Sequence, residues 1–122
     1  MTRNAISHQI LHRYAAGERE FVLEREDGDY DFDDVDLSEA RFCGSSIFGS
    51  FRNAMLKNTD FSDCNVKTCD FTGADLQNAN FRNSSIDAAI FEGARLEGTD
   101  FEGANEQGHA YKSGEMPFAH KA

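Results

Sequence analysis

At 122 residues the chain is long enough for one domain with an ordinary core, yet eleven Phe beside one Pro and no Trp point to a structural slot filled repeatedly. The formal charge of −10 disfavours direct nucleic-acid binding, and no run of 18 apolar residues is available to span a membrane. The acidity is lopsided: residues 18–39 hold eleven acids and two bases, whereas residues 40–104 hold nine acids and six bases.

In chain order, residues 4–16 read as a short amphipathic helix, with Ile6, Ile10, Leu11 and Tyr14 on one face and Gly17 as its stop. His, Arg and Gln interrupt this segment where a secretory signal needs an apolar stretch, so the expected location is the cytoplasm. Between Phe21 and Tyr30 the apolar spacing fails around Asp27-Gly28, and an imperfect first coil or a small hairpin is expected there.

From Phe32 a large apolar residue returns every fifth position. The series is Phe32, Leu37, Phe42, Ile47, Phe51, Leu56, Phe61, Val66, Phe71, Leu76, Phe81, Ile86, Phe91, Leu96 and Phe101, with one short step between Ile47 and Phe51. Two places before each large residue sits a mostly small one, as at Ala40, Ala54, Cys64, Ala74 and Ala89. A period of five suits neither a helix nor a simple strand. It suits a chain that changes direction once per unit, with the large residue inward at mid-side and the small residue inward near the corner. The large residues also repeat as Phe-Leu-Phe-Ile or Phe-Leu-Phe-Val, so residues of one type should stack in columns about twenty positions apart. Four such coils, spaced like paired strands, make a body roughly 19 Å tall. The core series stops at Glu106.

The units Ala74-Asp75-Leu76-Gln77-Asn78 and Ala79-Asn80-Phe81-Arg82-Asn83, with Ala104-Asn105 after them, resemble the pentapeptide-repeat family over about residues 30–105. That resemblance implies an all-β fold, a right-handed quadrilateral β-helix of about four coils with a short N-terminal capping α-helix, and no shared active site. The lead-in Tyr14-Ala15-Ala16-Gly17-Glu18-Arg19-Glu20-Phe21 resembles the capping segment found before many such solenoids, with Phe21 entering the core. The expected organisation is residues 1–29 as cap and irregular first coil, 30–106 as β-helix, and 107–122 as a tail. That tail, with Tyr111, Met116 and Phe118, covers the last coil, docks on a partner or is disordered.

Chemistry-bearing residues are few. His8 and His12 lie one helical turn apart but have no evident third ligand, so no metal site is assigned. Cys43, Cys64 and Cys69 form no CxxC pair; the last two occupy small inward positions and the first an outward one. Asp or Asn before the large residue, as at Asp60, Asn65, Asp70, Asp75 and Asn80, suits backbone-bonding turns better than paired catalytic carboxylates. No catalytic residue and no cofactor is assigned. Opposite charges one coil apart, Asp33 with Arg52, Lys67 with Asp87 and Arg82 with Glu102, are expected to pair.

The expectation is a non-catalytic interaction or scaffold module whose partner is another protein, with no direct nucleic acid and no membrane. Outward Phe48, Met55 and Ile90 and the acids Glu92, Glu97 and Glu102 form the candidate partner surface, and a homodimer through the C-terminal end is one way to cover the last coil. The alternative implied by the resemblance is a DNA mimic that binds a type II topoisomerase such as DNA gyrase.

Overall fold

The structure is a computed structural model, and it describes residues 3–117. The body is a continuous coil held by parallel backbone bridges between residues one circuit apart. The bridges define four sides. One side stacks β1 (Tyr30–Asp31) on β2 (Gly49–Ser50), then Asp70 and Ile90, while the next stacks Asp36, Met55, Asp75 and Arg95. The third side runs Glu20, Arg41, Asp60, Asn80 and Asp100, and the fourth Ser46, Asn65, Ser85 and Asn105.

A corner is built the same way on every side. The large residue's carbonyl accepts a hydrogen bond from the N–H of the small residue three places on, as from Ala54 to Phe51 at 3.1 Å and from Ala74 to Phe71 at 3.0 Å. The residue between them at the tight point has positive φ, for example 57° at Asn53, 61° at Asn78 and 71° at Gly93. Type II turns demand such a residue, and Gly, Asn and Asp tolerate it best. The residue before the large one bonds the same corner from outside. Its carboxylate or amide oxygen accepts the N–H two places on, as at Asp60 from Ser62 (2.8 Å), Asp70 from Thr72 (2.9 Å) and Asn80 from Arg82 (2.9 Å).

Inside, every large residue from Phe32 to Phe101 is buried. Phe51, Phe71 and Phe91 stack with centroids 5.0 and 5.3 Å apart, and Phe61, Phe81 and Phe101 with centroids 4.9 and 5.0 Å apart. The two columns meet edge to face at 5.4–5.7 Å. Both are favoured arrangements for rings whose faces are negative and edges positive. Small inward polar groups find carbonyls: the hydroxyls of Thr59, Ser84 and Thr99 donate to Leu56, Phe81 and Leu76.

The one-residue shortening is absorbed between Ser46 and Ser50, where the bridge offset changes from 19 to 20 residues. Tyr30 and Gly49 are consequently pressed together, and a Cβ on Gly49 would lie 2.3 Å from the Tyr30 carbonyl oxygen. Only glycine allows that approach.

The two ends carry unlike covers, and the one on the last coil reaches only part of its edge. Helix α1 (Ala5–Ala15) is N-capped by Asn4, buries Ile10 and Ser7, and packs Ile6, Leu11 and Tyr14 against the core. Residues 21–30 take the imperfect-coil form and not the hairpin: Phe21 and Leu23 are buried, and a 3-10 turn at Arg25–Asp27 leads into β1. At the other end β3 (Asn105–Glu106) pairs antiparallel with β4 (His109–Ala110), which carries Tyr111 over Phe101 at 6.3 Å. Of the tail residues named from the sequence, Tyr111 is buried and Met116 packs on the core, while Phe118 lies outside the described residues.

Candidate protein-interaction surface

Because the sides are flat and the period strict, outward side chains fall into columns at fixed spacing. The charges in those columns pair mostly along a diagonal. A basic residue just after a large position reaches the Asp just before the large position of the next coil: Arg52 to Asp70 at 3.2 Å, Lys57 to Asp75 at 3.7 Å, Arg82 to Asp100 at 3.1 Å. Arg95 meets Asp75 from above at 3.9 Å. Vertical pairs form at Lys67–Asp87 (4.0 Å) and Arg82–Glu102 (3.3 Å).

The expected side-chain pair of Asp33 with Arg52 does not form. Asp33 accepts the Arg52 backbone N–H at 2.8 Å and the Ser50 hydroxyl, leaving the Arg52 guanidinium to Asp70. Straight columns missed this diagonal, yet its signal was in the sequence as bases recurring 18 residues before acids. At Asp70 burial pushes the carboxyl's pKa up, but the Thr72 hydroxyl and amide and the Arg52 guanidinium outweigh it, and the carboxyl ends below its ordinary value. Asp75 is lowered in the same way against burial by Gln77, Lys57 and Arg95.

The candidate surface residues do not form one patch. Phe48 is exposed at the register change, with the Arg25 guanidinium 5.1 Å above its ring. Met55 lies on the second side in the same circuit as Phe48, stacked on Asp36, and Ile90 lies on the first side of the last coil. Val22, 70% exposed, belongs with these exposed apolar residues; it lies where the five-residue period had not yet begun, so periodicity did not single it out. Glu92 and Glu97 are exposed on the last coil, and Glu102 is half-buried against Arg82.

The remaining acids crowd the first full coil, where Asp34, Asp36 and Glu39 are exposed. The cap binds the lower edge of that coil. The Arg3 guanidinium donates to the carbonyls of Asp31 and Asp33, and the Tyr14 hydroxyl to that of Ser38 at 2.8 Å. Ser7, not singled out from the sequence, accepts the Asp31 N–H at 2.7 Å.

Among the thiols, burial pushes Cys64 and Cys69 up to about 12, while Cys43 is exposed beside Ser62. His8 and His12 are exposed on α1, and among the described residues no group of three or more His, Cys, Asp or Glu side chains is placed to hold a metal ion. No helix among the described residues is long and apolar enough to cross a membrane.

The family model for pentapeptide repeats matches residues 49–73 and 67–103, with eight copies. Residues 49–103 are thus pentapeptide repeats of this family. Among solved structures, a pentapeptide-repeat protein from the thylakoid lumen of Arabidopsis thaliana is 21% identical, with a TM-score of 0.60 over 75% of this chain and 68% of that one. A second, from Nostoc PCC 7120, is 24% identical with a TM-score of 0.39 over 89% of this chain and 87% of that one. No curated protein sequence matches. The pentapeptide-repeat fold is a right-handed β-helix, and the parallel ladder described above is its backbone in this chain.

Proposed function

We propose that this pentapeptide-repeat protein is a non-catalytic interaction module, a rigid quadrilateral post of about four coils that presents side-chain columns to another protein in the cytoplasm. The observation that carries the reading is the fixed outward grid. Paired backbone at every level and interlocked Phe columns hold each outward residue at a set place, so a partner meets a pre-organised surface and loses little ordering entropy on binding. Within that grid the charges of the middle coils are largely paired with one another, whereas the exposed acids Asp34, Asp36 and Glu39 stand out on the first coil.

The test is capture from the source cell followed by mass spectrometry, comparing the native chain with Asp34→Asn, Asp36→Asn, Glu39→Gln. The amides keep the turn bonds, such as the Ser38 N–H to Asp36, and remove only charge. A partner retained by the native chain and lost by the neutral form is the expected result. Turnover of a small molecule by the purified chain would refute a non-catalytic role.

The second reading, a DNA mimic acting on a type II topoisomerase such as gyrase, is favoured by the same acidic coil. Against it stand Arg52, Lys57, Lys67 and Arg82, which break any continuous anionic stripe along the body. A supercoiling assay decides between them: inhibition at micromolar protein that fades with salt would put the mimic first.

A further inference from the structure

The last coil is covered on only part of its upper edge. Throughout the body, the residue before each large position donates its N–H to a small residue below and accepts from the large residue below. Ile90 does so with Cys69 (3.0 Å) and Phe71 (2.7 Å). Above Ile90 the ladder stops. Among the described residues, the N–H groups of Phe91, Gly93, Leu96 and Gly98 have no acceptor and the Ala89 carbonyl no donor. Tyr111 takes up the edge only further round, accepting from Gly103 at 2.8 Å and donating to Ala104 at 2.8 Å.

Two side chains mark this stretch. The column beneath Ile90 is polar, with Ser50 and Asp70, but Ile90 itself is an isoleucine 43% exposed. Glu92 and Glu97 point outward here and make no ion pair among the described residues, unlike Asp70, Asp75 and Asp87 of the middle coils.

We propose that the Ala89–Gly93 edge binds an extended segment of a partner protein as an added parallel strand, and that this segment carries an apolar residue, a large apolar residue and a basic residue in succession. The register follows from the ladder. The first residue seats above Ile90, donates to the Ala89 carbonyl and accepts from the Phe91 N–H; the second lies over Phe91 and extends its ring column; the third stands above Glu92 and neutralises it. Main-chain bonds supply affinity and the alternating side chains specificity, as in other strand additions. The proposal rests on the interaction-module reading and names the class of partner.

The experiment titrates the full chain into a fluorescein-labelled decapeptide with a central Ile-Phe-Lys and Gly/Ser flanks, read by fluorescence anisotropy. Binding is expected, about tenfold weaker when the peptide's Lys becomes Glu, and recovered for that Glu peptide by Glu92→Lys in the protein. Ile90→Asp, which restores the Asp found below it at Asp70, should keep the fold by circular dichroism and weaken binding about tenfold. No binding, or equal affinity for the Lys and Glu peptides, overturns the proposal. Binding seen only after residues 118–122 are removed assigns the edge to the chain's own tail and overturns it too, as does a dimer that Ile90→Asp dissociates. A cellular partner that Ile90→Asp still retains sinks this edge while leaving the interaction module standing.

Discussion

The two ends of the solenoid face the same problem and meet it differently. At the N-terminus a whole helix crosses the first coil, and Arg3, Asn4, Ser7 and Tyr14 bond backbone groups of residues 29–38. At the C-terminus a two-residue hairpin brings one aromatic ring over Phe101 and leaves Leu96 8% exposed, against no exposure for Leu37, Leu56 and Leu76. A coil stack needs its ends closed because unpaired strand edges invite association. A helix that bonds the first coil at several points and a hairpin that meets the last coil at one stretch leave the C-terminal edge the more open of the two, and so the place where this chain can be extended.

The comparison breaks if the helix is dispensable. Removing residues 1–17 takes away buried Ile10 and the packing of Ile6, Leu11 and Tyr14, and is expected to cost more than about 4 kcal/mol by urea denaturation. A shortened chain as stable as the native one would show that the first coil needs no cover.

Ring deletions grade the same contrast along the stack. Phe71→Ala opens a cavity between rings above and below and should cost about 3–5 kcal/mol, whereas Phe91→Ala, with a ring only beneath it, should cost about 2 kcal/mol. Equal losses at the two positions would mean that the upper ring is as enclosed as the middle one.

Tyr111 tests the smaller cap. Tyr111→Ala should cost about 2 kcal/mol, and Tyr111→Phe, which keeps the ring but loses the hydroxyl bond to Glu106 at 2.6 Å, about 1 kcal/mol. Differential scanning calorimetry on the pair separates ring packing from the hydrogen bond.

The smallest effect is electrostatic and belongs to the body between the ends. Asp70 and Asp75 have folded-state pKa values below the ordinary 3.8, so they contribute stability above that value and lose it as pH falls through their folded pKa. Asp70→Asn, which keeps the turn bond to Thr72, should change stability at neutral pH by about 0–1 kcal/mol and flatten the acid loss below pH 3.8. An unchanged acid profile would remove Asp70 from the account.

Much of this architecture is legible in the sequence. A five-residue recurrence of large residues with a small one two places earlier leaves few geometries, because only a chain turning at every unit can bury all of them. The Phe columns followed from the twenty-residue repeat, and the short step at Ile47–Phe51 located the register change that Gly49 accommodates. The candidate surface was less legible: outward residues carry no periodicity of their own, and Phe48, Met55 and Ile90 came out dispersed.

The local rule is written in the sequence, since each unit's inward residues and corner residues depend only on neighbours within five positions. The tertiary structure decided what meets across coils and at the ends. It sent Arg52 to Asp70 instead of Asp33, buried Ser7 against Asp31, folded Tyr111 back over Phe101, and left the edge above Ile90 open. The diagonal reach of a long side chain, the seating of a helix on a coil and the path of an aperiodic tail depend on distances in space that a five-residue period does not encode.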